Sequence, residues 1–113
     1  MSGKVTLNRR LVLEDPVDLP DGAGGMTRNW TAVGTLWADI RQLSARELEL
    51  QELPVSSARC RITLRAAPFG APSRPRAGQR FVEGQRVYRI IAVSEAGSAQ
   101  KYVVAHAREE TVQ

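Results

Sequence analysis

The stretch SSARCRITLR, Ser56–Arg65, carries the plainest strand signature in the chain, and the fold is read outward from it. Arg59, Arg61, Thr63 and Arg65 fall on one side of an extended backbone, and Cys60, Ile62 and Leu64 fall on the other. A strand with one apolar and one charged face belongs to an antiparallel sheet with a single core side. The same grammar recurs on both flanks. LNRRLVLE reads as a strand, and so do MTRNWTAV and GTLWADIRQL, where Leu36, Ala38 and Ile40 alternate with polar neighbours. Val33-Gly34-Thr35 is expected to be a tight bend or bulge between those two. QRFVEGQRVYRIIAVSE reads as a hairpin turning at Glu83-Gly84, then AGSA turns into a last strand, QKYVVAHAR. About six short strands with regular turn signals predict an all-β fold, a small antiparallel β-barrel with long loops.

Two segments lie between the strands. DPVDLPDGAGG, with its prolines, aspartates and glycines, is expected to be an irregular loop. AAPFGAPSRPRAGQ, residues 66–79, is longer than the usual connection in a compact domain. One domain over residues 9–108 is expected, with an N-terminal arm at 1–8 and a frayed tail at 109–113.

LSARELELQELP, Leu43–Pro54, breaks the β pattern. Ser44 and Glu47 have the S-x-x-E spacing of a capping box, in which each side chain bonds a backbone N–H at a helix start. Good helix formers follow as far as Glu52, and Pro54 closes the run. Leu48 and Leu50 are two apart, so the segment lacks a single apolar stripe. A short helix of this kind is marginal alone, so its order is expected to depend on neighbours.

Charge is unevenly placed. The chain of 113 residues carries a formal +4, but residues 1–56 have 6 basic and 8 acidic groups while residues 57–113 have 10 and 4. The basic half suits an acidic protein face or a polyanion. No apolar run approaches the ~20 residues of a membrane helix. MSGKVTLNRRLVLEDP is broken by charge and has no secretory apolar core, so a chain made and kept in the cytoplasm is expected.

Catalytic chemistry finds little support. His106 is the only histidine and is read as a solvent-facing or locally bonded strand residue. Cys60 is the only cysteine, which excludes an intrachain disulfide, and its alternation places the thiol in the core. Asp15, Asp18 and Asp21 are spaced three apart but lack the closing acid of a calcium loop, and no metal or cofactor is expected. Trp30 and Trp37 are read as core or interface anchors. The arginines from Arg59 to Arg89 form a basic series opposed only by Glu83. That series is open to two readings, a solvated face or a surface for phosphates or carboxylates.

The ordered set R-R-L-V-L-E, D-G-A-G-G-M-T-R-N-W, L-W-A-D-I-R-Q-L-S-A-R-E, I-T-L-R and G-Q-R-V-Y-R-I-I-A-V resembles the phage head–tail joining proteins, also called head-closure or stopper proteins. The version in gene transfer agents, which are phage-derived particles, is the most similar. The resemblance covers residues 8–110 and implies no catalysis. It implies a homo-oligomeric ring of roughly six or twelve copies at the neck of a phage-like particle. The ring would sit between a portal or adaptor protein and a tail terminator or tail-tube protein, with packaged double-stranded DNA in its channel and no membrane. It further implies that Leu43, Ser44, Arg46, Glu47, Leu48, Glu49, Leu50 and Glu52 form a channel-gating segment. Arg59, Arg61, Arg65, Arg74, Arg76 and Arg80 are then candidates for ring or neighbour contacts. The loop at 66–79 departs from the pattern. A small nucleic-acid-binding barrel remains the competing reading.

Overall fold

The computed structural model describes residues 4–68, 70–96 and 101–111. Its elements are β1 (Arg9–Pro20), β2 (Met26–Gln42), α1 (Ala45–Leu50), β3 (Arg59–Arg65), β4 (Arg80–Glu83), β5 (Arg86–Ala96) and β6 (Tyr102–Thr111). The strands close as an antiparallel barrel in the order β1-β2-β3-β6-β5-β4. The expected all-β barrel of six strands with one helical excursion is therefore the observed architecture. The expected AGSA turn falls largely on residues 97–100, outside the described residues.

Alternation builds the interior. Leu11 and Leu13, Ala38, Cys60 with Ile62 and Leu64, Phe81, Tyr88 with Ile90, and Val103 with Ala105 and Ala107 form one buried cluster. Full burial of a side chain such as Ile62 or Phe81 contributes about 1.5–3 kcal/mol. The hairpin at Glu83-Gly84 forms as read: Glu83 pairs with Arg86, and Gly84 takes φ +60° at the first central position of a two-residue turn. Glycine there meets the positive φ that such hairpins need.

The first hairpin departs from expectation. β1 runs through DPVDLP to Pro20, so the irregular stretch shrinks to Asp21–Gly25. Asp21 N–H donates to Gly25 O at 3.1 Å, which fixes the phase of the ladder. Asp15, Val17 and Leu19 therefore share the hydrogen-bonded positions, and Pro16 and Pro20 point their missing donors away from β2. At such positions proline costs no ladder bond. Asp21 Oδ1 closes the turn by accepting from Ala23 N (2.8 Å) and Gly25 N (3.0 Å). MTRNWTAV and GTLWADIRQL are likewise one continuous strand, and the irregularity near Val33 is a bulge opposite the Leu13/Glu14 step. From Asp15 and Thr31 outward β1 and β2 pair only with each other, forming a ribbon that leaves the barrel. The molecule accordingly measures 52 × 33 × 23 Å.

The C-terminal end is also more ordered than a frayed tail. Glu109 and Glu110 pair with Tyr88 and Val87 in the β5–β6 ladder, and Thr111 pairs with Arg86. Hydrophobic Tyr88 below and Arg86 beside Glu109 give the polar segment a reason to stay in the sheet. Its last two residues, 112–113, and the first three of the expected arm lie outside the described residues.

Candidate assembly interface

Register sorts the loops to two ends of the barrel. α1, the β4–β5 turn and the end of β6 lie at one end, next to Arg9, Gln42 and Arg59. The ribbon and the 66–79 loop lie at the other, next to Glu14, Arg65 and Arg80. The proposed gating segment and the Pro/Arg-rich loop thus face opposite directions.

The capping box in α1 forms as its sequence predicts. Glu47 N–H donates to Ser44 Oγ at 3.2 Å, and Ser44 N–H donates to Glu47 Oε1 at 2.9 Å. Those bonds hold the Glu47 carboxyl below the usual carboxylate range. The C-terminal end closes through two reversed bonds, Leu53 N to Leu48 O (2.8 Å) and Glu52 N to Glu49 O (3.0 Å). This is a Schellman arrangement, with Glu52 at φ +58° where glycine is usual. Pro54 follows that stop rather than causing it. The single chain already supplies both caps, so the helix has local support beyond the neighbours it was expected to need. Only Leu48 is buried; Arg46, Glu49, Leu50 and Glu52 are exposed, with Leu50 at 75%.

Beside the β4–β5 turn the same barrel end is polar. Arg9 donates through Nε to Glu83 Oε2 at 2.7 Å, and Arg86 holds Glu109 at 2.9 and 3.1 Å. The Arg9 bond lowers the Glu83 carboxyl, and burial raises the Tyr88 phenol directly below. The Arg86 guanidinium lies 5.7 Å from the Tyr88 ring centroid. Arg9, Arg86 and Tyr88 border a cavity of about 180 Å3 that Ile40, Gln42 and Cys60 also line.

On the outer wall four arginines align across neighbouring strands. Arg80 is opposite Arg89, Arg89 opposite Arg108, and Arg108 opposite Arg59. Carboxylates are interleaved: Arg80 donates to Glu14 at 2.7 Å, and Glu110 lies 3.8 Å from Arg89 and 3.5 Å from Arg108. Trp30 lies under Arg80 and Arg89, with their guanidinium carbons 4.2 and 5.6 Å from its ring. Neither tryptophan is core; Trp37 is 55% exposed. The sequence reading missed Arg108, because only strand register reveals that row.

The other predicted arginines are dispersed. Arg61 and Arg65 are exposed on β3. Arg74 donates to Ala67 O at 2.9 Å, and Arg76 reaches Asp15 at 3.2 Å, both at the ribbon end. Gln79, buried, donates to Asp15 Oδ1 and accepts from Arg76 N at 2.6 Å, which pins the loop to the ribbon base. Asp15, Asp18 and Asp21 are thereby split between Gln79 with Arg76, Arg28 and a backbone turn. His106 Nε2 lies 3.2 Å from Ser94 Oγ, a local strand pairing. The Cys60 thiol is buried and pushed up by desolvation.

A closed barrel with charged walls and a self-capped helix at one mouth defines a small protein whose working parts are surfaces. Its family follows from comparison: the chain belongs to the phage head completion protein family, which matches over residues 4–110. A chain in the virion of a native gene transfer agent particle is 37% identical and superposes with a TM-score of 0.68, covering 98% of this chain and 100% of that one. A protein from Shigella flexneri 2a, solved in solution, superposes with a TM-score of 0.70 at 22% identity, covering 95% of this chain and 96% of that one, and it supports the fold alone. A search of the curated proteins finds no significant match.

Proposed function

We propose that this head completion protein is a head–tail connector of the stopper type. It assembles as a ring at the neck of a phage-like particle, between portal or adaptor and tail, and its α1 segment restrains packaged DNA. The observation that carries this reading is the construction of Leu43–Glu52. It stands at one barrel end, carries its own caps at both termini, and buries only Leu48. Such an element is shaped by its own bonds and leaves its outer side free for the channel. Glu52 is its acid free to face the channel, since Glu47 is engaged with Ser44. Carboxylates facing DNA limit adhesion while the narrowed bore blocks passage.

The nucleic-acid-binding alternative is weakened by the arginine row itself. Arg80, Arg89 and Arg108 already neighbour Glu14 and Glu110, which leaves less charge for phosphates. Deleting Arg46–Gln51 tests the connector: the barrel should still fold and heads should still fill, but they should lose their DNA. Retained DNA overturns the gating role. Tight, steeply salt-sensitive binding of free DNA by the isolated chain favours the alternative.

A further inference from the structure

The two sides of α1 are chemically complementary, and they point away from each other. At about 100° per residue, Leu43, Glu47 and Gln51 share one side of the helix, and Glu49 lies roughly 200° round from Glu47. The first side borders a cavity of about 100 Å3 whose opposite wall carries Arg59, Arg61 and His106. Arg59 Nε is buried there with no hydrogen-bond partner among the described residues. Neither Arg59 nor Arg61 makes an ion pair among those residues. The one carboxylate at the cavity, Glu47, is committed through Oε1 to Ser44 N–H. The cavity therefore offers two guanidiniums against one engaged acid, and the chemistry that completes it is a second carboxylate.

We propose that this cavity receives Glu49 of a second copy of the chain, joining copies head to tail. Glu49 is exposed, has no ion pair among the described residues, and faces away from its own cavity across the helix. Donor and receptor are different patches of one molecule, so the contact is heterologous, the kind that generates rings when its rotation closes. Leu50 and Val55, 75% and 73% exposed, lie on the same projecting segment and gain cover from the neighbour. This inference rests on the ring proposed above and names its joint.

Charge exchange in assembled particles is the test. Glu49→Arg and Arg61→Glu should each lower the yield of tailed, DNA-filled particles by roughly tenfold or more, and the double variant should return to within about threefold of the parent. A double variant no better than the worse single, or singles at parental yield, overturns the contact. Should Arg61→Glu unfold the free chain, paired Glu49→Cys and Arg61→Cys under oxidation replace it. A ladder of covalent multimers of this chain, seen only with both cysteines, is expected; its absence, or a cross-link to a different protein, overturns the proposal. A neck ring visible by electron microscopy in particles that fail these tests overturns the joint alone, whereas a neck without this chain overturns the ring.

Discussion

Arg9 and Glu83, 74 residues apart in sequence, form a two-pronged ion pair that holds β1 against β4. The ladder between these strands spans only Val12, Leu13 and Glu14 opposite Val82, Phe81 and Arg80. The pair therefore sits at the seam where the barrel has fewest backbone bonds, reinforced at its other end by Arg80 and Glu14.

Glu83→Gln should loosen that seam. Both side chains are partly solvated, so the cost is about 1 kcal/mol, or about 4 °C of Tm in a domain of this size. Thermal unfolding measures it, and amide exchange should rise first in β4. An unchanged Tm with unchanged β4 exchange would show that apolar packing alone closes the barrel.

Glu52→Gly should stabilise the chain. Glu52 holds φ +58°, which a side chain bearing Cβ adopts at a cost, and glycine adopts freely. The gain is up to about 1 kcal/mol after glycine's extra unfolded-state freedom is deducted. Glu52→Val should do the reverse. Chemical denaturation of the two variants checks the order, and a less stable glycine variant would contradict the Schellman assignment.

Trp30→Ala should free the ribbon without opening the barrel. Trp30 joins the ribbon to the wall through Arg80 and Arg89, contacts worth about 0.5–1 kcal/mol each where partly solvated. Hydrogen exchange should accelerate across Pro16–Pro20 and Met26–Ala32 while β3 and β6 stay protected. Equal acceleration everywhere would make Trp30 a core residue in effect.

Acid should destabilise the fold partly through His106. Burial, and then the Arg61 charge, lower its pKa below the ordinary histidine value. A group with a depressed folded pKa contributes stability fully above its unfolded pKa, near 6.5, and loses it as pH falls through the folded value. His106→Gln should therefore flatten the decline of Tm between about pH 7 and 5. Glu83 acts in the same sense at lower pH, because its pKa is also depressed. A parallel decline in both proteins would remove His106 from the account.

Legibility in the sequence followed the range of the forces involved. The Ser44–Glu47 box and the Glu83-Gly84 turn are local, so spacing alone predicted them. The alternation at Cys60, Ile62 and Leu64 predicted the core face because a period of two survives any partner. β1 beyond Glu14 was hidden, since Pro16 and Pro20 break a strand only when their nitrogens face a neighbour, and register decides that. The wall of Arg59, Arg108, Arg89 and Arg80 was equally hidden, being assembled from four strands. The basic series that looked continuous from Arg59 to Arg89 divides instead between β3, the ribbon-end loop and that wall.

The central claim is that the chain forms a ring at the particle neck with α1 turned toward the axis. Electron cryo-microscopy of tailed, DNA-filled particles tests it most directly. The account predicts a closed ring of this chain between portal or adaptor and tail, with Leu43–Glu52 lining the narrowest part of the bore. The chain found elsewhere in the particle, or a neck ring with Leu43–Glu52 on its outer rim, would contradict it.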